Sequence, residues 1–258
     1  MKRTAIVTGV NKSSIGRGIS EVLSQKGFKV LMLSRSPEKL TAVEKEMLAA
    51  GFDVEAWPLD ITDRKSVSST ISGIIAKYGS IEVLVNNAGL MPFPSALQET
   101  DDKLWDDLVN VNLTGTFNVT KAVLPHMLSK KYGRIINISS VSARKTVGHF
   151  VAYAAAKGAL HAFTAALANE TTGQGVTVNC VLPGFTETDE MHRIWGTLAK
   201  NSGITEDELL KPFWAQIPIG RWIQPREIGN TVAFLASDEA QVVTGQIIKV
   251  DGGYDNHE

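Results

Sequence analysis

The chain has 258 residues, a hydrophobic fraction of 43% and a formal net charge of -1. That is enough apolar sequence for one large core, and the balanced charge gives no basis for a nucleic-acid or membrane-surface partner. The single cysteine, Cys180, excludes an intrachain disulfide, and Met1-Lys2-Arg3 leads into a strand without a signal peptide or transmembrane run, so a cytoplasmic protein is expected.

Short apolar runs alternate with helical patterns along the chain. Strands are predicted at Thr4–Thr8, Lys29–Leu33, Val54–Pro58, Val83–Asn86, Arg134–Ser139, Val176–Leu182 and Gln246–Val250. Helices are predicted near 15–26, 37–50, 63–78, 101–130, 150–170 and 225–236. This βαβ rhythm predicts a doubly wound α/β fold, a parallel sheet of about seven strands with helices on both faces. No linker or repeat interrupts it, so residues 1–258 are read as one domain.

The first turn, Thr8-Gly9-Val10-Asn11-Lys12-Ser13-Ser14-Ile15-Gly16-Arg17-Gly18, follows a strand and opens a helix. In that setting backbone N–H groups at a helix N-terminus face outward for a pyrophosphate. The second strand ends at Ser34-Arg35, where a cofactor with a free ribose 2′-hydroxyl usually meets Asp or Glu. Arg35 is therefore read as the partner of a 2′-phosphate, with Lys12 assisting, rather than as a solvated loop arginine. Asp60, closing the third strand, is placed to bond an adenine amino group. The small residues of Asn86-Asn87-Ala88-Gly89 leave room for a cofactor to cross. Asn110 and Asn112 lie inside a long helical stretch, where Asn competes for backbone groups, so a kink or a chemical task is expected there.

Gly133-Arg134-Ile135-Ile136-Asn137-Ile138 reads as a buried strand ending at Ser139-Ser140, and Tyr153 and Lys157 share one face of the alanine-rich helix that follows. A phenol with a pKa of ~10 is a poor base at neutral pH, and an ammonium beside it favours the phenolate. A hydroxyl from Ser140 would hold a substrate oxygen against that phenol. Cys180, inside an apolar strand, reads as a buried structural residue. No cluster of His, Cys and acidic residues has metal-ligand spacing.

These motifs, in this order, resemble the short-chain dehydrogenase/reductase family from end to end. The resemblance rests on the Thr8-Gly9 turn, Asn86-Asn87-Ala88-Gly89, Asn112, Ser140 thirteen residues before Tyr153, Tyr153 and Lys157 four apart, Pro183-Gly184 with Thr188, and the closing Asp251-Gly252-Gly253. It implies a single-domain Rossmann fold and nicotinamide-dependent carbonyl/alcohol redox chemistry, with Asn112, Ser140, Tyr153 and Lys157 as the catalytic set. The implied cofactor contacts are Gly9, Lys12, Ser14, Ile15, Gly16, Arg35, Asp60, Ile61, Asn87, Ala88, Gly89, Tyr153, Lys157, Pro183, Gly184, Thr186 and Thr188. One departure is the glycine turn, which is one residue longer than usual and carries Ser14 in place of the middle glycine. A similar turn occurs in enoyl-carrier-protein reductases, but those usually space the catalytic Tyr and Lys further apart. Residues 185–223, with Phe185, Met191, Trp195, Phe213, Trp214 and Trp222, would form a substrate lid, and Met91–Pro94 and Val147–Val151 the other pocket walls. His149 is read as a packing or surface residue in preference to a substrate contact.

The expected protein is an oxidoreductase using NADP(H), with NAD(H) the less favoured cofactor. It would pass hydride between the nicotinamide and a small to medium ketone or secondary alcohol. The resemblance extends to 3-oxoacyl-carrier-protein reductases and to polyol or hydroxy-acid dehydrogenases. Small residues along the helix from Tyr153 would let a second helix approach closely, which agrees with the homotetramer the resemblance implies. A non-catalytic dinucleotide-binding regulator is disfavoured by the intact catalytic positions, and a halohydrin lyase by Lys157 and Gly9.

Overall fold

The computed structural model describes residues 2–146 and 148–256. Seven parallel strands form one sheet: β1 (Thr4–Thr8), β2 (Lys29–Ser34), β3 (Val54–Pro58), β4 (Val83–Asn86), β5 (Gly133–Ile138), β6 (Val176–Pro183) and β7 (Ile247–Val250). Their order across the sheet is β3-β2-β1-β4-β5-β6-β7. The order reverses between β1 and β4, which opens a crevice at the carboxyl ends of the central strands. The predicted strands appear with ends within one residue of those read from the sequence.

The helices are α1 (Ile15–Gln25), α2 (Pro37–Ala49), α3 (Arg64–Tyr78), α4 (Asp102–Val109), α5 (Gly115–Lys130), α6 (Val151–Thr171), α7 (Asp189–Asn201), α8 (Glu206–Trp214) and α9 (Pro225–Leu235). Strand residues alternate between two cores. Ala5, Val7, Val30 and Met32 pack with Ile19 and Leu23 of α1 and Val232 of α9. Ile6, Leu31, Leu33 and Leu84 pack with Ile71 of α3 and Val119 of α5 on the other face. Parallel strands covered on both faces carry this continuous apolar character, whereas one-sided sheets alternate with polar residues. Among the described residues no helix is long and apolar enough to cross a membrane.

Two segments differ from the sequence reading. The helix expected over 101–130 is broken: residues Asn110–Thr114 wind into a π-turn between α4 and α5, with Asn112 fully buried at its centre. A π-turn frees backbone carbonyls from the helical ladder and often sits at functional sites. The variable segment after β6, read as a lid with no helix predicted in it, contains two helices. Thr188 caps α7 by accepting from the Met191 N–H at 3.3 Å, and Thr205 with Glu208 forms a capping box on α8.

Candidate active site

The crevice at the switch point is a cavity of about 960 Å³, bordered by the first turn, the ends of β2 to β6, α6 and the α7–α8 segment. Gly9 opens it with φ 74, and a Cβ there would lie 2.5 Å from Ala88 Cα, so only glycine fits the turn against β4. Thr8 Oγ1 accepts from the Asn87 and Ala88 N–H groups at 3.0 and 2.9 Å, and Asn87 Nδ2 donates to Thr8 O at 2.8 Å. These bonds lock the two central strand ends together. Gly9, Ser14, Ile15, Asp60, Ile61, Asn87, Ala88, Gly89, Pro183, Gly184, Thr186 and Thr188 all border the cavity.

Gly16 does not border it. That residue is buried beneath the turn, against Asn87 Nδ2 and Gly9 O. Ser14 does border it, but its hydroxyl is spent on the turn. It caps α1 by accepting from Arg17 N–H at 3.1 Å, accepts from Asn11 N–H and donates to Asn11 O, each at 3.0 Å. The extra residue of the turn is thereby absorbed into the helix cap. With φ -147, Ser14 is extended backbone, which is why glycine is not required there. Asp60 has one carboxylate oxygen held by the Thr62 N–H and hydroxyl, at 2.9 and 2.7 Å.

Lys12 departs from expectation. Its ammonium turns towards Glu46 on α2, 4.0 Å away, and its carbonyl accepts from Arg17. The attraction of Glu46 and the Arg17 bond draw Lys12 away from the crevice. Arg35 does border the cavity, and the second cation beside it is Lys39 in the first turn of α2. Lys39 was legible only as the residue four after Arg35 across a helix start at Pro37.

At the other end, Ser140, Tyr153 and Lys157 converge on the same space. Ser140 Oγ accepts from the Ser142 N–H at 3.1 Å, which leaves the hydroxyl proton for a substrate oxygen. Lys157 Nζ donates to Ile138 O at 2.9 Å, and Ser139 Oγ donates to Lys157 O at 2.8 Å while lying 3.1 Å from His161 Nε2. The end of β5 is thus stitched to α6 at both the side chain and the backbone of Lys157. Ser139 and His161 were not singled out from the sequence, because the pairing needs β5 and α6 side by side.

The electrostatics differ from the simple Tyr–Lys expectation. Burial pushes the Tyr153 phenol above its ordinary value, and the Ser140 hydroxyl acts in the opposite sense. Burial pushes the Lys157 ammonium down to about 8. That ammonium sits 6.0 Å from the Tyr153 ring centroid and is bonded to a carbonyl, so its pull on the phenol is smaller than the desolvation penalty on both. Cys180, fully buried behind Lys157, is pushed up to about 12 by burial and is held as an inert thiol.

Asn112 clamps the loop after β4. Its Oδ1 accepts from Leu90 N–H at 3.1 Å, and its Nδ2 donates to Leu90 O and Leu108 O, both at 3.0 Å. Both amide protons are spent. A Cβ at Gly89 would lie 2.8 Å from Asn112 Oδ1 and 3.1 Å from Lys157 Nζ, so glycine is what lets the chain pass this close to both polar groups.

Of the expected walls, Met91, Phe185, Met191, Trp195 and Phe213 border the cavity, whereas Pro92, Phe93, Pro94, Trp214 and Trp222 do not. Trp214 and Trp222 pack behind, against Phe185 and each other. Gly148 and Phe150 border the cavity, and Val151 is exposed beside it. Val147 lies outside the described residues. His149 is exposed, with φ 70 and its carbonyl bonded to Ser95 N–H. Lys145 and Tyr254, not singled out from the sequence, line the substrate end. Among the described residues no group of three or more His, Cys and acidic side chains is placed to hold a metal.

A dinucleotide-binding crevice joined to a Tyr–Lys–Ser centre defines a class of nicotinamide-dependent oxidoreductases. The chain belongs to the short-chain dehydrogenase/reductase family: a family model described as "Enoyl-(Acyl carrier protein) reductase" matches residues 9–255. It is 38% identical to the 3-oxoacyl-[acyl-carrier-protein] reductase FabG of Escherichia coli over 251 residues, covering 97% of this chain and 96% of that protein. Identity to the FabG of Staphylococcus aureus (strain Mu50) is 37% over 254 residues, 98% of each chain. A variant of the actinorhodin polyketide ketoreductase, solved with NADPH, superposes with a TM-score of 0.93 at 36% identity, over 99% of this chain and 98% of that one. The protein is an oxidoreductase acting on C=O and CH–OH groups.

Proposed function

We propose that the protein is an NADPH-dependent ketoreductase acting on small to medium ketones, with Tyr153 as the proton donor. The observation that carries this is the convergence of Ser140, Tyr153 and Lys157 at one end of a crevice whose other end holds Arg35 and Lys39. The glycine turn, Asp60, Ile61, Asn87 to Gly89, Pro183, Gly184, Thr186 and Thr188 would hold the dinucleotide, since all of them border the one crevice at the strand ends. Arg35 and Lys39 would hold the 2′-phosphate, since two exposed cations at a helix start suit an anion and no carboxylate closes β2. When bound, the nicotinamide supplies the hydride.

The chain's residues supply the rest. Ser140 donates a hydrogen bond to the carbonyl oxygen and fixes it against the phenol. Burial keeps Tyr153 protonated, which is the form needed to hand a proton to oxygen as negative charge develops. Lys157, also buried, holds the nicotinamide ribose and supplies positive charge beneath the phenol. Asn112 positions the Leu90 loop and presents its remaining Oδ1 lone pair toward Lys157, where a water-linked path could return the proton.

The helices α7 and α8 form the substrate lid. Ser13 Oγ accepts from Asp189 N–H at 3.1 Å, tying the lid to the cofactor turn. The residues form one domain, and a cytoplasmic homotetramer completes the reading. Exposed Ala155, Ala162 and Ala166 on α6 and Phe117 on α5 supply close-packing faces for it.

The four-residue Tyr153–Lys157 spacing supports ketone reduction over the enoyl reduction named in the family model's description, as do the ketoreductase names of the full-length relatives. The test is NADPH absorbance with a panel of ketones, polyols and acyl thioesters. Oxidation of NADPH by ketones or 3-oxoacyl thioesters supports the assignment; turnover of enoyl thioesters alone overturns it.

A further inference from the structure

We propose that Lys145 is a specificity-determining residue that binds a carboxylate carried by the ketone substrate, so that the preferred substrates are keto acids and their hydroxy-acid products. This rests on the assignment of Ser140 and Tyr153 to the carbonyl oxygen. Lys145 follows Ser140 by five residues on the loop that leaves β5, and it lines the same cavity as Ser140, Tyr153 and Phe185.

The side chain is fixed in place. Its backbone N–H donates to Val141 O at 2.9 Å, which closes the loop after Ser140. Its ammonium donates to Tyr254 O at 2.7 Å and lies 4.0 Å from the Tyr254 ring centroid. Tyr254 is itself buried, and Asp251 holds the turn through the Gly253 and Asp255 N–H groups at 3.0 and 2.9 Å. A lysine held this way has given up most of its rotamer freedom before any ligand arrives. One of its three donors is committed to Tyr254 O, and the others remain for an acceptor.

Its charge is uncompensated among the described residues. The acids nearby have other partners: Asp255 pairs with Arg144 at 3.0 Å and with Lys249 at 3.7 Å, and Glu190, on the lid, pairs with Arg193 at 2.6 Å. No ion pair involving Lys145 forms among the described residues. The Tyr254 ring under the ammonium packs on Phe185, which packs in turn on Trp195 and Phe213 in the same cavity, and aromatic surroundings of this kind weaken solvent screening of a charge-assisted hydrogen bond. A cation held in the cavity of the carbonyl site, over an aromatic ring and with no acid partner among the described residues, matches an anionic group on a short ketone. A carboxylate close to the carbonyl fits better than the distant phosphate of a carrier arm, because Lys145 and Ser140 sit on one loop of one cavity.

The experiment is calorimetric titration of hexanoate and hexanamide, neither of which is reducible, into the protein saturated with NADPH. The parent is expected to bind hexanoate at least about tenfold more tightly than hexanamide, the scale of one charge-assisted contact. Lys145→Gln, which keeps a donor for Tyr254 O but no charge, is expected to abolish the difference, and Lys145→Arg to retain it. Thermal melts of both variants check the fold. In turnover, Lys145→Gln should raise KM for 3-oxohexanoate about tenfold with kcat held, and leave the ethyl ester and the coenzyme A thioester unchanged. Equal affinity of the parent for hexanoate and hexanamide, or a preference surviving in Lys145→Gln, overturns the proposal, as does a selective loss on the thioester, which would place a phosphate there. If hexanoate preference holds but no ketone oxidises NADPH, the ketoreductase assignment fails and the carboxylate site stands.

Discussion

Replacing Lys157 with Met separates the chemistry of the site from its energetic cost. Burial lowers the Lys157 ammonium from 10.5 to about 8, which corresponds to roughly 3 kcal/mol of unfavourable desolvation at pH 7, at about 1.36 kcal/mol per pK unit. Met has a similar reach and no charge, so that cost disappears. The hydrogen bond to Ile138 O disappears as well, and a bond of that charged type contributes about 1.5–3 kcal/mol. The expected net effect at pH 7 is a variant between equal stability and about 2 kcal/mol more stable, with ketone reduction largely lost.

The pH dependence fixes the cause. Folded Lys157 loses its proton as pH rises through about 8, but the unfolded lysine keeps it until near 10.5. Between those values the unfolded state binds more protons, so this group raises the parent's stability as pH rises. Cys180 opposes it above its ordinary value of 9, because the folded thiol keeps its proton up to about 12, but Cys180 is present in both proteins. The quantity to read is therefore the stability difference between variant and parent, from urea denaturation at pH 7, 8, 9 and 10. It should move towards the parent by up to about 3 kcal/mol over that range. A parent more stable than the variant by over ~1 kcal/mol at pH 7, or a difference that stays flat from pH 7 to 10, refutes the desolvation argument.

Tyr153→Phe keeps the buried ring and removes the proton, so turnover should fall by about 10² or more while NADPH still binds, read by stopped-flow kinetics and by titration. Near-normal turnover in that variant would move the acid role elsewhere. Ser34→Asp with Arg35→Leu should reverse a parent preference of about tenfold to hundredfold for NADPH over NADH, measured as kcat/KM for each, and Lys39→Ala alone should narrow it. A parent that already prefers NADH removes Arg35 and Lys39 from the 2′-phosphate. Light scattering at micromolar concentration should give a mass of four chains, with α5 and α6 packed across twofold axes; a stable monomer would leave the small-residue face of α6 without a partner.

The sequence alone determined the sheet and which candidate residues gather at its carboxyl edge, because those depend on local signals. Strands buried on both faces read as continuous apolar runs, and Gly9, Asn87 and Tyr153 with Lys157 sit at fixed distances along single elements. The ends of all seven strands therefore lay within one residue of the prediction, and most of the residues named for the cofactor fell around one crevice. What spans separate elements was decided by the tertiary structure. Lys12 lies in the glycine turn, but its direction is set by Glu46 on α2, which no local pattern reveals. The helices α7 and α8 escaped notice because residues 185–223 were read only as a lid, whereas Trp195 of α7, Phe213 and Trp214 of α8, Trp222 and Tyr254 pack together around Phe185. The π-turn at Asn112 was signalled only as an ill-placed asparagine, and its purpose appears when the side chain meets the backbone of Leu90 in the loop after β4. Most consequential is burial: a Tyr and a Lys four residues apart predict a phenol lowered by its neighbour, but both lie in the core, and desolvation outweighs their mutual charge. Desolvation depends on everything packed around a group, so it is a property of the folded chain and cannot be written in four residues of helix.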